Sequence, residues 1–123
     1  MLGIVSCSSP QPKERYKTWH KGEFYYQVQN FGKFSVSRTQ THQTEFIDLH
    51  KMEIRFNIKW VNDSIYLLTY DTITQNPAGI SLPGDIGELV KTCTITALTD
   101  SSYIEKATSN LNKATNYTTY LRD

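Results

Sequence analysis

Hydrophobic and polar positions alternate with a period of two over the clearest stretch of this chain. In the run from Met52 to Val61, the side chains of Met52, Ile54, Phe56, Ile58 and Trp60 fall on one face, and Glu53, Arg55, Asn57 and Lys59 fall on the other. That is the pattern of a half-buried antiparallel strand. Val61-Asn62-Asp63-Ser64 supplies turn residues, and Ile65 to Tyr70 follows as a second strand, which predicts a β-hairpin. Upstream, Gly22 to Val28 places Phe24, Tyr26 and Val28 on one side, and Asn30-Phe31-Gly32 turns the chain into Lys33 to Arg38. Thr44 to Leu49 predicts a fifth strand with Phe46 as an anchor and Ile47 or Glu45 on the other face. Leu89 to Leu98, Ser102 to Lys106 and Tyr117 to Leu121 complete the set. The polar segment before Tyr117 has room for one helical turn, since Leu111 and Ala114 are three apart.

Between the fifth and sixth of these strands in chain order, Gln75 to Gly87 carries Pro77, Pro83 and three glycines, which excludes a central strand or a regular helix. It reads either as a functional loop or as an apolar plug in which Ile80, Leu82 and Ile86 cap one end of a sheet core. About eight short strands in meander order predict an all-β, antiparallel curled sheet or a small up-and-down, lipocalin-like barrel. The G-x-W opening of lipocalins is absent, because Trp19 precedes Gly22.

Composition sharpens this picture. The chain has 123 residues, 38% of them hydrophobic, 12% aromatic and 20% charged, which suits one domain that buries a core without metal or multiple disulfides. Aromatic residues and an abundance of threonine favour pleated strands. A net charge of +1 argues against a nucleic-acid partner, which requires a clustered basic surface. No apolar stretch is long enough for a spanning helix.

The N-terminus offers another route to a membrane. Ile4-Val5-Ser6-Cys7, followed by the small, proline-bearing stretch Ser8 to Pro12, resembles the lipobox at the end of a bacterial lipoprotein signal peptide. The resemblance implies cleavage before Cys7 and acylation of its thiol, and two or three acyl chains anchor stably where one is marginal. On this reading residues 1–6 are a signal-peptide remnant, 7–20 a lipidated tether and 21–123 a β domain, located in the cell envelope and facing the periplasm or cell exterior. The alternative is a short first strand from Leu2 to Val5 with Cys7 a buried thiol. Cys93 lies in an alternating strand and reads as core packing, with a Cys7–Cys93 disulfide as its rival.

Gly22-Glu23-Phe24, a central Arg38, and Trp60-Val61-Asn62-Asp63 followed by Tyr66 resemble a group of small Bacteroidetes-type lipoproteins of unknown function. The resemblance covers about half the chain and implies a location and a fold, without chemistry.

Candidate chemistry is sparse. His20, His42 and His50 show no H-x-H or H-x-x-x-H spacing, and the two cysteines have no C-x-x-C partner, so no metal site is expected. There is no G-x-S-x-G elbow and no phosphate loop, and no cofactor is implied. Arg38 and Glu45, on strands expected to be neighbours, read either as a pair at a barrel mouth that fixes a polar ligand group or as an exposed cross-strand ion pair. Tyr25, Tyr66 and Tyr70 read as lining a ligand cleft or as filling the barrel interior. The expected function is a lipid-anchored envelope binding or interaction module without catalytic activity, whose partners are the membrane, through Cys7, and an unidentified protein or small molecule. A lipocalin-like carrier of a small apolar ligand is the alternative, and a small hydrolase the third reading.

Overall fold

A computed structural model describes residues 12–123; the signal remnant, Cys7 and the first residues of the expected tether, up to position 11, lie outside the described residues. The eight strands are β1 (Gly22–Val28), β2 (Gly32–Arg38), β3 (His42–Ile47), β4 (Met52–Trp60), β5 (Ile65–Gln75), β6 (Val90–Leu98), β7 (Ser102–Ser109) and β8 (Asn116–Leu121). Each pairs antiparallel with its neighbour in sequence, and β8 returns to β1, so the expected meander closes into an eight-stranded barrel. Closure removes the sheet edges that an open meander would expose.

Alternation decides what points inward. Phe24 and Tyr26, Val36, Met52, Ile54 and Ile58, Tyr66 and Leu68, Cys93 and Ile95, Tyr103 and Ala107, and Tyr120 are all buried. The inward set also includes Arg38, Gln43, Glu45 and Glu105. On β3 the buried positions are Gln43 and Glu45, while Phe46 is only half-buried on the outer face opposite Glu53. The expectation that Phe46 anchors this strand is therefore corrected: hydrogen bonding to the buried polar groups of other strands, rather than hydrophobicity, sets which face of β3 turns in.

The fifth strand runs to Gln75, beyond the Tyr70 expected, with register shifts against β4 at Glu53/Ile54 and Arg55/Phe56. Such irregularities bend a strand around a barrel corner. The segment that follows folds on itself rather than as a plug. Asn76 Nδ2 donates to the Ile80 carbonyl at 2.8 Å, Ile80 N–H donates back to Asn76 Oδ1 at 2.9 Å, and a single 3-10 turn spans Ile86–Glu88. Ile80, Leu82 and Ile86 are half-buried, and none is buried. Residues 110–115 form no helical turn; Ser109 Oγ and Asn112 Oδ1 take up the backbone N–H groups of Leu111 and Ala114.

The plug is at the other end. A five-residue helix, α1 (Lys13–Lys17), and a turn through His20 occupy positions expected to belong to the tether. So short a helix is marginal alone. It is held because Trp19, fully buried, enters the barrel end between Phe24 and Tyr103, at ring separations of 5.0 and 4.9 Å.

The closing seam differs from the others. β1 and β2 share seven residue pairs, whereas β1 and β8 share one, Tyr25 with Leu121. Beyond it the strands part around a cleft of about 610 Å³ lined by Gln27 to Gln29 and Asn116 to Thr119.

Candidate functional site

Three of the five expected ligand-binding residues converge inside the barrel, where they bind one another. Arg38 ends β2, directly opposite Gln43 at the start of β3, and its guanidinium spends its donors on the protein. Nε donates to Gln43 Oε1 at 2.8 Å, Nη1 to the Trp19 carbonyl at 2.7 Å, and Nη2 to the Tyr103 and Tyr66 hydroxyls at 2.9 and 3.3 Å. Gln43 Nε2 passes the chain on to Glu45 Oε2 at 2.9 Å, and Tyr26 OH donates to Glu45 Oε1 at 2.6 Å. Tyr66 OH donates a short hydrogen bond to Glu105 Oε2. Lys91 Nζ stands 3.6 Å from Glu105 Oε1.

The reading of Arg38 and Glu45 as an exposed cross-strand ion pair is thereby corrected. At 2% and 7% exposure they are not an exposed cross-strand pair, and the two side chains meet through Gln43 rather than directly. The buried Arg38 and the partly exposed Lys91 stand against the two buried carboxylates, so the charge inside is balanced, as burial of ions requires.

The aromatic rings complete the cage: the guanidinium carbon of Arg38 lies 4.7 Å from the Tyr66 ring centre and 5.0 Å from that of Phe24, a favourable cation–π environment. Burial works against the charge on Arg38, but Tyr103, Tyr66 and Tyr120 outweigh it and raise its pKa. Burial, reinforced by Glu105, pushes the hydroxyl of Tyr66 and the thiol of Cys93 above their ordinary values. Cys93 is a free, buried thiol and stays protonated at neutral pH.

The other two expected residues lie elsewhere. Tyr25 is on the outer face, with the Lys33 ammonium 5.1 Å from its ring centre. Tyr70 is half-buried opposite Phe56, next to the register shift of β4 and β5. Sequence reasoning passed over Gln43, Glu105, Tyr103 and Tyr120. A usable signal was present, because Gln43 has the same strand parity as Ile47, and Glu105 the parity of Tyr103 and Ala107. A polar residue at an inward position marks a buried network.

The histidines separate as well. His42 Nδ1 is 2.8 Å from Thr41 Oγ1, and its Nε2 is 3.9 Å from Asp71, which Arg55 Nε already holds at 2.6 Å. This is a half-buried chain of polar contacts on the outer surface, with Asp71 beyond hydrogen-bond reach of the imidazole. Among the described residues, no group of three or more His, Cys, Asp or Glu side chains is arranged to hold a metal.

His20 belongs to a second feature, the barrel mouth beside the plug. Its ring stacks on Trp60 at 3.5 Å, and its Nε2–H donates to the Asp63 carbonyl at 2.9 Å. Between the plug, the β2–β3 turn and the end of β4 runs a groove of about 600 Å³, lined by Lys17, His20, Lys21, Gln40, Thr41, Ile58, Lys59 and Trp60. That volume is in the range of small-molecule sites.

Comparisons with protein-family models, with curated proteins and with solved structures each found no match to this chain.

Proposed function

We propose that this chain is a lipid-anchored binding or interaction module of the cell envelope, without catalytic activity, that recognises its partner on its surface and mouth rather than in its interior. The observation that carries this reading is the filled barrel: Trp19, Tyr66, Tyr103, Tyr120, Leu68, Gln43 and Glu105 are fully buried in it and bonded or packed to one another. A carrier of apolar ligands needs an open, apolar interior. Here a ligand would displace charged groups that already have partners.

The anchor rests on the lipobox resemblance at Cys7. At about 3.5 Å per extended residue, Lys13 lies within roughly 20 Å of Cys7, so the plugged end would face the bilayer. Two measurements test the proposal. Cells expressing the full precursor and fed an alkyne fatty acid should label the wild-type chain and not Cys7→Ala; equal labelling of both removes the anchor. Titration with the apolar dye N-phenyl-1-naphthylamine should give no saturable fluorescence from the purified domain, and saturable binding that perturbs the Tyr66 and Tyr103 rings would establish the carrier instead.

A further inference from the structure

We propose that the groove at the plugged mouth is a binding site for a phosphate ester carried on an apolar body. This inference rests on the surface-recognition reading above and names the ligand class it implies. Lys17, Lys21 and Lys59 bring three ammonium groups to the lining, and none of the lining residues is acidic. Three like charges around one depression repel one another unless an anion joins them.

The deeper part of the groove is apolar. It is made by Ile58, a buried residue, and by Trp60, whose ring is fixed from one side by the stacked His20 and lies 4.6 Å from that of Tyr66 on the barrel side. The indole N–H of Trp60, like that of Trp19, is buried and donates to no acceptor among the described residues. The mouth thus combines three cationic groups with an apolar floor of Ile58 and Trp60. A phosphate monoester or diester on an apolar group matches both, because its oxygens accept from the ammonium groups while its body packs against the apolar floor.

Two sources carry that chemistry, a soluble ester and the headgroup of an anionic lipid, and the test separates them. The full chain carrying Cys7→Ser, so that acylation supplies no membrane binding of its own, is followed by the indole N–H signals of Trp60 and Trp19 in ¹⁵N-correlated NMR. Phenyl phosphate should move the Trp60 signal and leave that of Trp19 in place, whereas benzyl alcohol should bind at least about tenfold more weakly. Vesicles of phosphatidylglycerol, against phosphatidylcholine as control, form the second arm. A response to phenyl phosphate assigns a soluble ester, and a response to phosphatidylglycerol alone assigns the headgroup.

The triple variant Lys17→Gln, Lys21→Gln, Lys59→Gln changes only exposed side chains and should weaken binding by about tenfold or more at an unchanged Tm. An unmoved Trp60 signal in both arms, or equal binding by the triple variant, overturns the site while leaving surface recognition intact. Benzyl alcohol shifting the signals of Trp19 and the interior tyrosines would instead overturn surface recognition itself.

Discussion

The two ends of the barrel are closed by opposite means. At the plugged end, groups far apart in sequence bind one another. Arg122 stacks on Trp19 at 3.7 Å and donates to the carbonyls of Thr18 and Asp100, each at 2.9 Å, and Arg38 holds the Trp19 carbonyl from inside. At the other end, the segment between β5 and β6 is tied mostly to itself. Its further links run to the β7–β8 turn, where Asn110 Nδ2 donates to the Glu88 carbonyl and Val90 N–H to Asn110 Oδ1, both at 2.7 Å. The difference teaches that burial, more than loop length, decides which end carries stability. The five-residue helix has no buried residue of its own but leads into Trp19, which is integral to the core, while the fourteen residues between β5 and β6 include none that is buried.

Substitutions can break this contrast, beginning with the largest effect. Arg38→Ala should destabilise the domain by about 3–5 kcal/mol, because it leaves Glu45 and Glu105 without their buried cation and the Trp19 carbonyl without a donor; urea unfolding measures it. Trp19→Ala should cost about 3–5 kcal/mol on the same scale. Ile80→Ala at the far end should stay below about 1 kcal/mol, since the side chain is only half-buried. Equal losses at Trp19 and Ile80 would erase the distinction between the ends.

A smaller effect should follow pH. Burial holds the His20 imidazole below its ordinary 6.5, against the opposing pull of the Asp63 carbonyl. The unfolded chain therefore takes up the proton first, so the contribution of His20 to stability is present above pH 6.5 and is lost as pH falls from there through the folded value. Urea midpoints measured at successive pH values should fall in that window for the wild type and less steeply for His20→Asn. The smallest difference expected lies along the seam. Successive alternate residues offer their backbone groups to the same neighbour, so the amides of Gln27 and Thr119, beyond the last β1–β8 pair, should exchange with solvent faster than that of Tyr25.

Much of the fold was legible in the sequence, and the reason is physical. Period-2 alternation in Met52 to Trp60 and turn residues such as Asn62-Asp63 are local signals, and a meander asks only that each strand find its neighbour. The plug was not legible, because Lys13-Glu14-Arg15-Tyr16-Lys17 has no hydrophobic stripe of its own and is ordered by Trp19 entering a space that the eight strands enclose. The candidate site divides the same way. Arg38, Glu45 and Tyr66 drew attention as residue types, but a one-dimensional reading could not show that Gln43 joins the first two or that Tyr103 and Glu105, some forty positions past Tyr66, complete the network.

By itself, then, the chain determined its strands, their order and, β3 excepted, their inward faces, since each depends on contacts between residues near in sequence. Only tertiary structure decided that the sheet closes, that its interior is an ion-balanced cage rather than a cavity, and that the mouth gathers Lys17, Lys21 and Lys59 around Trp60. Those outcomes depend on which distant side chains share one volume, and burial there makes polar pairing obligatory.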